Sequence, residues 1–167
     1  MATRPPLRAA LIGCGHISVR HIPAWQATPD ADLVALCDLD LARAQERARE
    51  FGIPKAYDSV EAMLDAERLD CVDVATHDVT HTALVSLAAG RGLHVLCQKP
   101  LAPTVAEARA MVDLAARAGV RFMVVTTPSA RADGFCRNAR RSRPRLLGKA
   151  QSEPQAEDLA CRVHIPR

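Results

Sequence analysis

Six short apolar segments, each separated from the next by a segment with helical periodicity, constrain the fold of this chain more than any other feature. Their apolar residues are nearly continuous rather than alternating with polar ones, which is typical of strands covered on both faces. Regular strand–helix alternation indicates an α/β fold: a doubly wound parallel sheet of about six strands, with helices on both faces. The predicted strands are 8–13, 33–38, 55–57, 71–76, 93–97 and 121–126, and the predicted helices are 16–28, 41–51, 60–66, 80–91 and 105–118.

The composition narrows the kind of core and the class of protein. Hydrophobic residues make up 49 % of the chain and aromatic residues only 3 %, so the core has to be built from Ala, Val, Leu and Ile. No run of about 18 apolar residues occurs, and no apolar stretch that could serve as a secretory signal follows the first arginines. We therefore expect a cytoplasmic protein with no membrane partner.

The positions of the cysteines are also those expected of a cytoplasmic protein. Cys14, Cys37, Cys71 and Cys97 lie in or beside predicted strands, and they show no metal-ligand spacing. We expect them to be reduced thiols in the core, and we predict no metal site.

Charge is distributed unevenly along the chain. Residues 132–167 contain eight Lys or Arg against four Asp or Glu, whereas the rest of the chain is close to neutral. Because this stretch also lacks sustained apolar periodicity, we predict a folded domain over residues 1–126 and an arginine-rich, poorly ordered tail over 127–167. Arginine runs bind phosphate backbones non-specifically, but this one has no interleaved aromatic residues. Nucleic acid is therefore not expected as a partner.

A glycine pair, Gly13 and Gly15, ends the first predicted strand, and a helix follows directly. Gly13 permits a tight turn. Gly15 lets the backbone approach a pyrophosphate at the helix N-terminus, where free N–H groups and the helix dipole favour an anion. Ser18 stands where a third glycine is usual, and it is small enough for close packing of helix and strand. The pattern predicts a Rossmann-type dinucleotide-binding turn, with His16 and Ile17 also at the cofactor.

The residue expected to bind the ribose is Asp38, which ends the second predicted strand 23 residues after Gly15. A carboxylate there accepts hydrogen bonds from both ribose hydroxyls and repels a 2′-phosphate, and Asp40 adds to the repulsion. No arginine follows immediately, so NAD is favoured over NADP as the cofactor. Asp38 could also cap the helix that follows, which is compatible with ribose binding.

Ionisable side chains gather after the fourth predicted strand, at the edge where open α/β sheets bind ligands. Ala75 and Thr76 end this strand, and His77, Asp78 and His81 follow. A His/Asp/His set could suggest a metal site, but the spacing places His77 in a turn and His81 at a helix start. A loop that lines the nicotinamide side of a cofactor cleft is the better interpretation.

A lysine followed by a proline comes after the fifth predicted strand, in the segment Gln98-Lys99-Pro100. Pro100 restricts Lys99 to an extended conformation and so sets its direction. A lysine at the mouth of a cofactor cleft can hydrogen-bond a substrate hydroxyl and stabilise alkoxide charge that develops on it. We predict Lys99 as the catalytic residue, although by itself the segment could also be a solvated lysine before a helix.

Together these motifs resemble the N-terminal domain of the Gfo/Idh/MocA oxidoreductases over residues 7–126. The resemblance implies hydride transfer between a nicotinamide cofactor and a sugar, polyol or related hydroxy compound. It further implies that Lys99 lies near nicotinamide and substrate, that Gln98 and Pro100 adjoin the cofactor, and that His81 belongs to the same cleft. The residues that carry the resemblance are Gly13, Gly15, Ile17, His21, Asp38, Ala75, Thr76, His81, Lys99, Pro100, Leu101 and Ala102.

The chain departs from the family pattern at several points. Gln98 replaces the motif glutamate, which keeps the shape and loses the charge, and His77 replaces the usual proline. After the sixth strand, Thr127 and Ser129 stand where an asparagine and an arginine belong. The family also carries a second α/β domain that supplies the substrate pocket. Residues 127–167 do not resemble that domain, so we expect a truncated member without its substrate domain.

Two functions stay open on the sequence. The first is the NAD(P)-binding domain of such an oxidoreductase, inactive alone because no substrate pocket is visible. The second is a non-catalytic dinucleotide-binding module or remnant. In either case a missing domain would leave apolar surface uncovered, so we also expect self-association through the exposed sheet edge.

Overall fold

The computed structural model describes residues 5–125, in which strands and helices alternate throughout. Every predicted strand and helix is present, with ends that agree within two residues. The strands are β1 (Leu7–Ile12), β2 (Ala31–Cys37), β3 (Lys55–Tyr57), β4 (Cys71–Val74), β5 (His94–Gln98) and β6 (Phe122–Val125). The helices are α1 (Ser18–Gln26), α2 (Leu41–Phe51), α3 (Val60–Ala66), α4 (Asp78–Gly90) and α5 (Val105–Arg117).

The six strands form one sheet in the order β3-β2-β1-β4-β5-β6, and every neighbouring pair is parallel. From β1 the chain winds outward to β3, and from β4 it winds outward to β6 on the other side. The winding direction therefore reverses between β1 and β4, and the carboxyl ends of these two strands mark the place where open α/β sheets bind ligands. This arrangement confirms the predicted doubly wound fold.

Alternate side chains along the strands pack under different helices. Leu7 and Leu11 of β1 belong to a cluster that also contains Ile22 and Trp25 of α1. Ile12 of β1 belongs to a second cluster, built with residues of α3, α4 and α5. Helices thus cover both faces of the sheet, which is why its strands are apolar along their whole length.

Four free cysteines lie buried in this part of the chain, as expected: Cys14, Cys37, Cys71 and Cys97. Burial, reinforced by nearby acidic groups, raises the pKa of Cys14, Cys37 and Cys97 to about 12, so these thiols stay un-ionised. Among residues 5–125, no three His, Cys, Asp or Glu side chains are grouped so that they could hold a metal ion. No helix in the same range is long and apolar enough to cross a membrane.

Local interactions explain where the helices differ from prediction. Helix α1 begins at Ser18 because the preceding residues form the turn after β1. Helix α4 begins at Asp78, whose negative charge in the first turn suits the helix dipole. Helix α2 is capped by Asp40, whose side chain accepts a hydrogen bond from the amide of Arg43. The alternative role of Asp38 as the cap of this helix is therefore wrong.

The predicted tail, residues 127–167, lies outside the described residues, as do Thr127 and Ser129. The predicted boundary between a folded domain and a tail thus stays a prediction.

Candidate functional site

The turn after β1 lies directly against the end of β4. Gly13 has a φ of +101°, and a Cβ atom there would be 2.6 Å from the carbonyl oxygen of Ala75. The amide of Gly13 donates to the carbonyl of Cys37, and the amide of Ala75 donates to the carbonyl of Ile12, both at 2.8 Å. Only glycine satisfies both the conformation and the close approach. The ends of β1, β2 and β4 therefore meet at one place.

The helix that follows this turn presents an open N-terminus. A Cβ atom at Gly15 would meet no atom within 4 Å. Within residues 5–125 the backbone amides of Gly15, His16 and Ile17 donate to no acceptor, and α1 has no side-chain cap. The buried Ser18 hydroxyl donates to the carbonyl of Gly15 at 2.6 Å and so ties the turn together. Free amides and an open approach at a helix N-terminus are suited to binding a phosphate.

Asp38, at the end of β2, is held by backbone amides on both sides. Its Oδ2 accepts a hydrogen bond from the amide of Cys14 at 2.8 Å, and its Oδ1 accepts one from the amide of Asp40 at 2.9 Å. The side chain is only 11 % exposed. The carboxylate is thus fixed beside the glycine turn, and Oδ2 keeps a second lone-pair direction with which to accept a hydrogen bond from a hydroxyl.

Arg43 was not predicted from the sequence as part of this site. Its guanidinium lies 3.5 Å from Asp38 Oδ1 and 3.2 Å from Asp40 Oδ2. The signal was available, because Arg43 stands three residues after Asp40 in a predicted helix, and such pairs face each other. The positive charge partly offsets the two carboxylates at the place where a 2′-phosphate would be repelled.

The two histidines after β4 occupy different environments. His77 is exposed at the start of α4, beside the hydroxyl of Thr76, which lies 2.8 Å from that of Thr80. His81 is fully buried, with Nδ1 3.0 Å from the carbonyl oxygen of Leu101 and Nε2 3.1 Å from that of Thr76. The structure therefore places His77 on the surface of the loop, while His81 joins this loop to the segment after β5.

Lys99 lies at the same edge of the sheet, directly after β5. Its side chain is exposed, and the peptide bond to Pro100 is cis. Its backbone amide donates to Oε1 of Gln98 at 2.7 Å. The side chain of Gln98 is turned into the protein, where it is buried. The side chain of Lys99 therefore faces solvent, while its backbone is held by the buried side chain of Gln98.

A buried hydrogen-bonded network lies beneath these loops. The Nδ1 of His21 and the indole N–H of Trp25 both lie 2.7 Å from Oδ2 of Asp73, and Nε2 of His21 lies 2.9 Å from Nε2 of Gln98. Burial lowers the pKa of His21, but the hydrogen bond to Asp73 and its charge outweigh burial, so the pKa lies above its usual value. Of these residues, only His21 and Gln98 stood out in the sequence, and neither Asp73 nor Trp25 was predicted as a partner.

The predicted site residues thus gather at the carboxyl ends of β1, β2, β4 and β5. They offer free backbone amides, a carboxylate and an exposed ammonium group along one edge. Such a set can bind an anion and a diol and can present a cation to a reacting oxygen. His81 is the exception, since its ring lies wholly inside the protein.

Comparison with known proteins identifies the family to which this fold belongs. The model of an oxidoreductase family with an NAD-binding Rossmann fold matches residues 7–126. The chain is 50 % identical over 117 residues to a D-apiose dehydrogenase of Paraburkholderia graminis, covering 70 % of this chain and 31 % of that protein. It is 42 % identical over 114 residues to D-xylose 1-dehydrogenase (NADP(+)) 2 of Haloferax volcanii, covering 68 % and 35 % of the two.

Solved structures of relatives contain the same fold. An oxidoreductase from Agrobacterium radiobacter, crystallised with NAD+, L-tartaric acid and magnesium, superposes with a TM-score of 0.69 at 37 % identity. The match covers 71 % of this chain and 34 % of that one. The chain therefore spans about a third of the length of the relatives it matches.

Replacing Gly13 by alanine should strongly destabilise the fold. The new Cβ would collide with the Ala75 carbonyl, and alanine disfavours a φ of +101°. We expect the free energy of unfolding, measured by urea denaturation, to fall by more than about 2 kcal/mol. Gly15→Ala is the matched control and should change it by less than about 1 kcal/mol, since its Cβ meets open space. Equal losses in the two variants would contradict this account of the turn.

Proposed function

The chain belongs to the Gfo/Idh/MocA oxidoreductase family through residues 7–126, and on this basis we propose that it is the NAD(P)-binding domain of an oxidoreductase that acts by hydride transfer on a sugar, polyol or related hydroxy compound. One observation carries the proposal: free amides at residues 15–17, the carboxylate of Asp38 and the side chain of Lys99 share one edge of the sheet. The names of the relatives, a D-apiose and a D-xylose dehydrogenase, support the substrate class.

The residues present fit a nicotinamide dinucleotide. The amides of Gly15, His16 and Ile17 would hold the pyrophosphate, and the open space over Gly15 admits it. Asp38 would accept hydrogen bonds from the ribose hydroxyls. Ala75, Thr76 and His77, together with Gln98, Lys99 and Pro100, would line the nicotinamide half. His81 would act indirectly, by holding the loop after β4.

Lys99 is the group that we assign to the chemistry. The nicotinamide, when bound, accepts or supplies the hydride. The Lys99 ammonium group would donate a hydrogen bond to the reacting hydroxyl and stabilise the negative charge that develops on its oxygen. We further propose that the chain alone binds cofactor without turnover; a sustained rise in absorbance at 340 nm with NAD and a panel of sugars and polyols would refute this.

NADH should bind to the full chain, as measured by isothermal titration calorimetry. Gly15→Val places a branched side chain where the pyrophosphate would lie, so its affinity should fall at least about tenfold, or about 1.4 kcal/mol. Asp38→Ala should weaken binding similarly through loss of the ribose acceptor. Asp32→Ala, which removes an exposed carboxylate from the other end of β2, is the control and should bind like the parent chain. Absence of heat with both NADH and NADPH would overturn the proposal.

NAD is proposed as the preferred cofactor, because Asp38 and Asp40 place two negative charges beside the ribose position while Arg43 offers one positive charge. NADH should bind about tenfold more tightly than NADPH in the same calorimeter. Asp40→Asn keeps a helix cap but removes one negative charge, so it should reduce the difference in affinity between NADH and NADPH. Tighter binding of NADPH by the parent chain would refute the preference.

We also propose that the chain associates with itself through the edge of the sheet at β6. Phe122 and Met123 of this strand are only half-buried, and no strand pairs with the outer edge of β6 within residues 5–125. Unpaired edges offer backbone groups to a second chain. Sedimentation velocity over a concentration series should show reversible association of the full chain. A single monomeric species at every concentration would contradict this part of the proposal.

A further inference from the structure

The buried network beneath the site connects its lysine to a histidine inside the protein. Four contacts form this network: Trp25 to Asp73, Asp73 to His21, His21 to Gln98, and Gln98 to the backbone amide of Lys99. The side chains are almost fully enclosed, with exposures of 2 % for His21, 0 % for Asp73 and 7 % for Gln98. Because these side chains are so nearly enclosed, each donor needs an acceptor within the network.

The direction of each hydrogen bond from Lys99 to Asp73 follows from the backbone amide of Lys99, at one end of the network. The amide of Lys99 can only donate, so the Gln98 atom that faces it must be the carbonyl oxygen Oε1. The amide nitrogen of Gln98 then faces His21, and it too can only donate. His21 Nε2 must therefore accept with its lone pair. A neutral imidazole has one N–H, which is then on Nδ1 and donates to Asp73.

Protonation of His21 would break this pattern. A proton on Nε2 would face the NH2 group of Gln98, donor against donor. Rotating the Gln98 amide by half a turn would relieve that contact, but it would bring the NH2 group against the amide of Lys99. The side chain of Gln98 can satisfy a charged His21 or the Lys99 backbone, but not both.

We propose that Gln98 is a positioning residue that couples the two: it holds the backbone of Lys99 only while His21 is neutral and carries its proton on Nδ1. The role of Lys99 in catalysis rests on the proposed function, whereas the coupling itself rests on the buried network alone. A carboxylate in place of the Gln98 amide would accept from both His21 and Lys99 and would remove the conflict.

Few other charges act on this network. Within residues 5–125, the charged or titratable groups against His21 and its partner are Asp73 on β4 and, next to Asp73, the thiol of Cys97 on β5. Burial and then Asp73 raise the pKa of that thiol to about 12, so it carries no charge near neutral pH. Asp73 favours a charged His21, whereas the amide of Gln98 opposes it. The balance between these two groups decides the state of the ring.

The test is NMR spectroscopy of the full chain uniformly labelled with 13C and 15N, without any nucleotide, with the His21 ring signals assigned through bonds to its own backbone. In the parent chain at a pH above the titration midpoint of His21, Nδ1 should show the shift of a protonated nitrogen and Nε2 that of a free lone pair. On acidification, the amide signal of Lys99 should move with the same midpoint as the His21 ring. A neutral ring with its proton on Nε2 would overturn the proposal, and so would different midpoints for the two signals.

Gln98→Glu supplies the complementary variant. It should raise the titration midpoint of His21 by roughly one to three pH units above that of the parent chain, because a carboxylate accepts a hydrogen bond from a protonated Nε2. Gln45→Glu adds the same charge at an exposed position of α2 and should leave the His21 signals unchanged. A midpoint in Gln98→Glu that equals or lies below that of the parent chain would contradict the proposal. If that variant fails to fold, the parent spectrum still decides the tautomer and the coupling. NADH binding is measured separately, so failure of the proposed function and failure of this inference are distinguishable.

Discussion

The contact between Gly13 and the carbonyl of Ala75 is the constraint on which the rest of the site depends. It brings the turn after β1 within van der Waals distance of the end of β4, at the point where the winding of the sheet reverses. With a side chain at Gly13, the two strand ends would be forced apart. The open N-terminus of α1 and the carboxylate of Asp38, which binds the amide of Cys14 in the same turn, would then lose their relative positions.

From this contact outward, each loop is tied to its neighbour by a hydrogen bond that is at least partly buried. Asp38 links β2 to the glycine turn, His81 links the loop after β4 to the segment after β5, and Gln98 links β5 to α1 through His21. These bonds leave the groups assigned to ligand binding facing outward. A hydrogen-bonded interior and an exposed set of amides, carboxylate and lysine together suit a ligand that spans several strand ends.

The fold could be predicted from the sequence because its signals are local and agree with one another. Near-continuous apolar segments, glycines at the ends of helices and a glycine pair after the first strand all indicate the same doubly wound sheet. The network around Asp73 could not be predicted in that way. An aspartate inside an apolar strand is visible in the sequence as an unusual buried charge, but the sequence does not reveal which side chains bind it. Trp25 and Gln98, which belong to the same network, are distant from Asp73 in sequence. The burial of His81 was equally hidden, because a motif histidine has the same spacing whether it faces a ligand or a backbone carbonyl. The loss of charge at Gln98 was visible in the sequence, but its consequence for His21 required the geometry.

The most direct test of the central claim is to map where a dinucleotide binds on the full 15N-labelled chain by following backbone amide signals during a titration with NADH. The largest shifts should occur at Gly15, His16 and Ile17 and near Asp38 and Thr76, at the carboxyl edge of the sheet. Arg8 and Asp70, near the amino ends of β1 and β4, should shift little. Shifts centred on that amino edge, or no shifts at saturating NADH, would contradict the central claim.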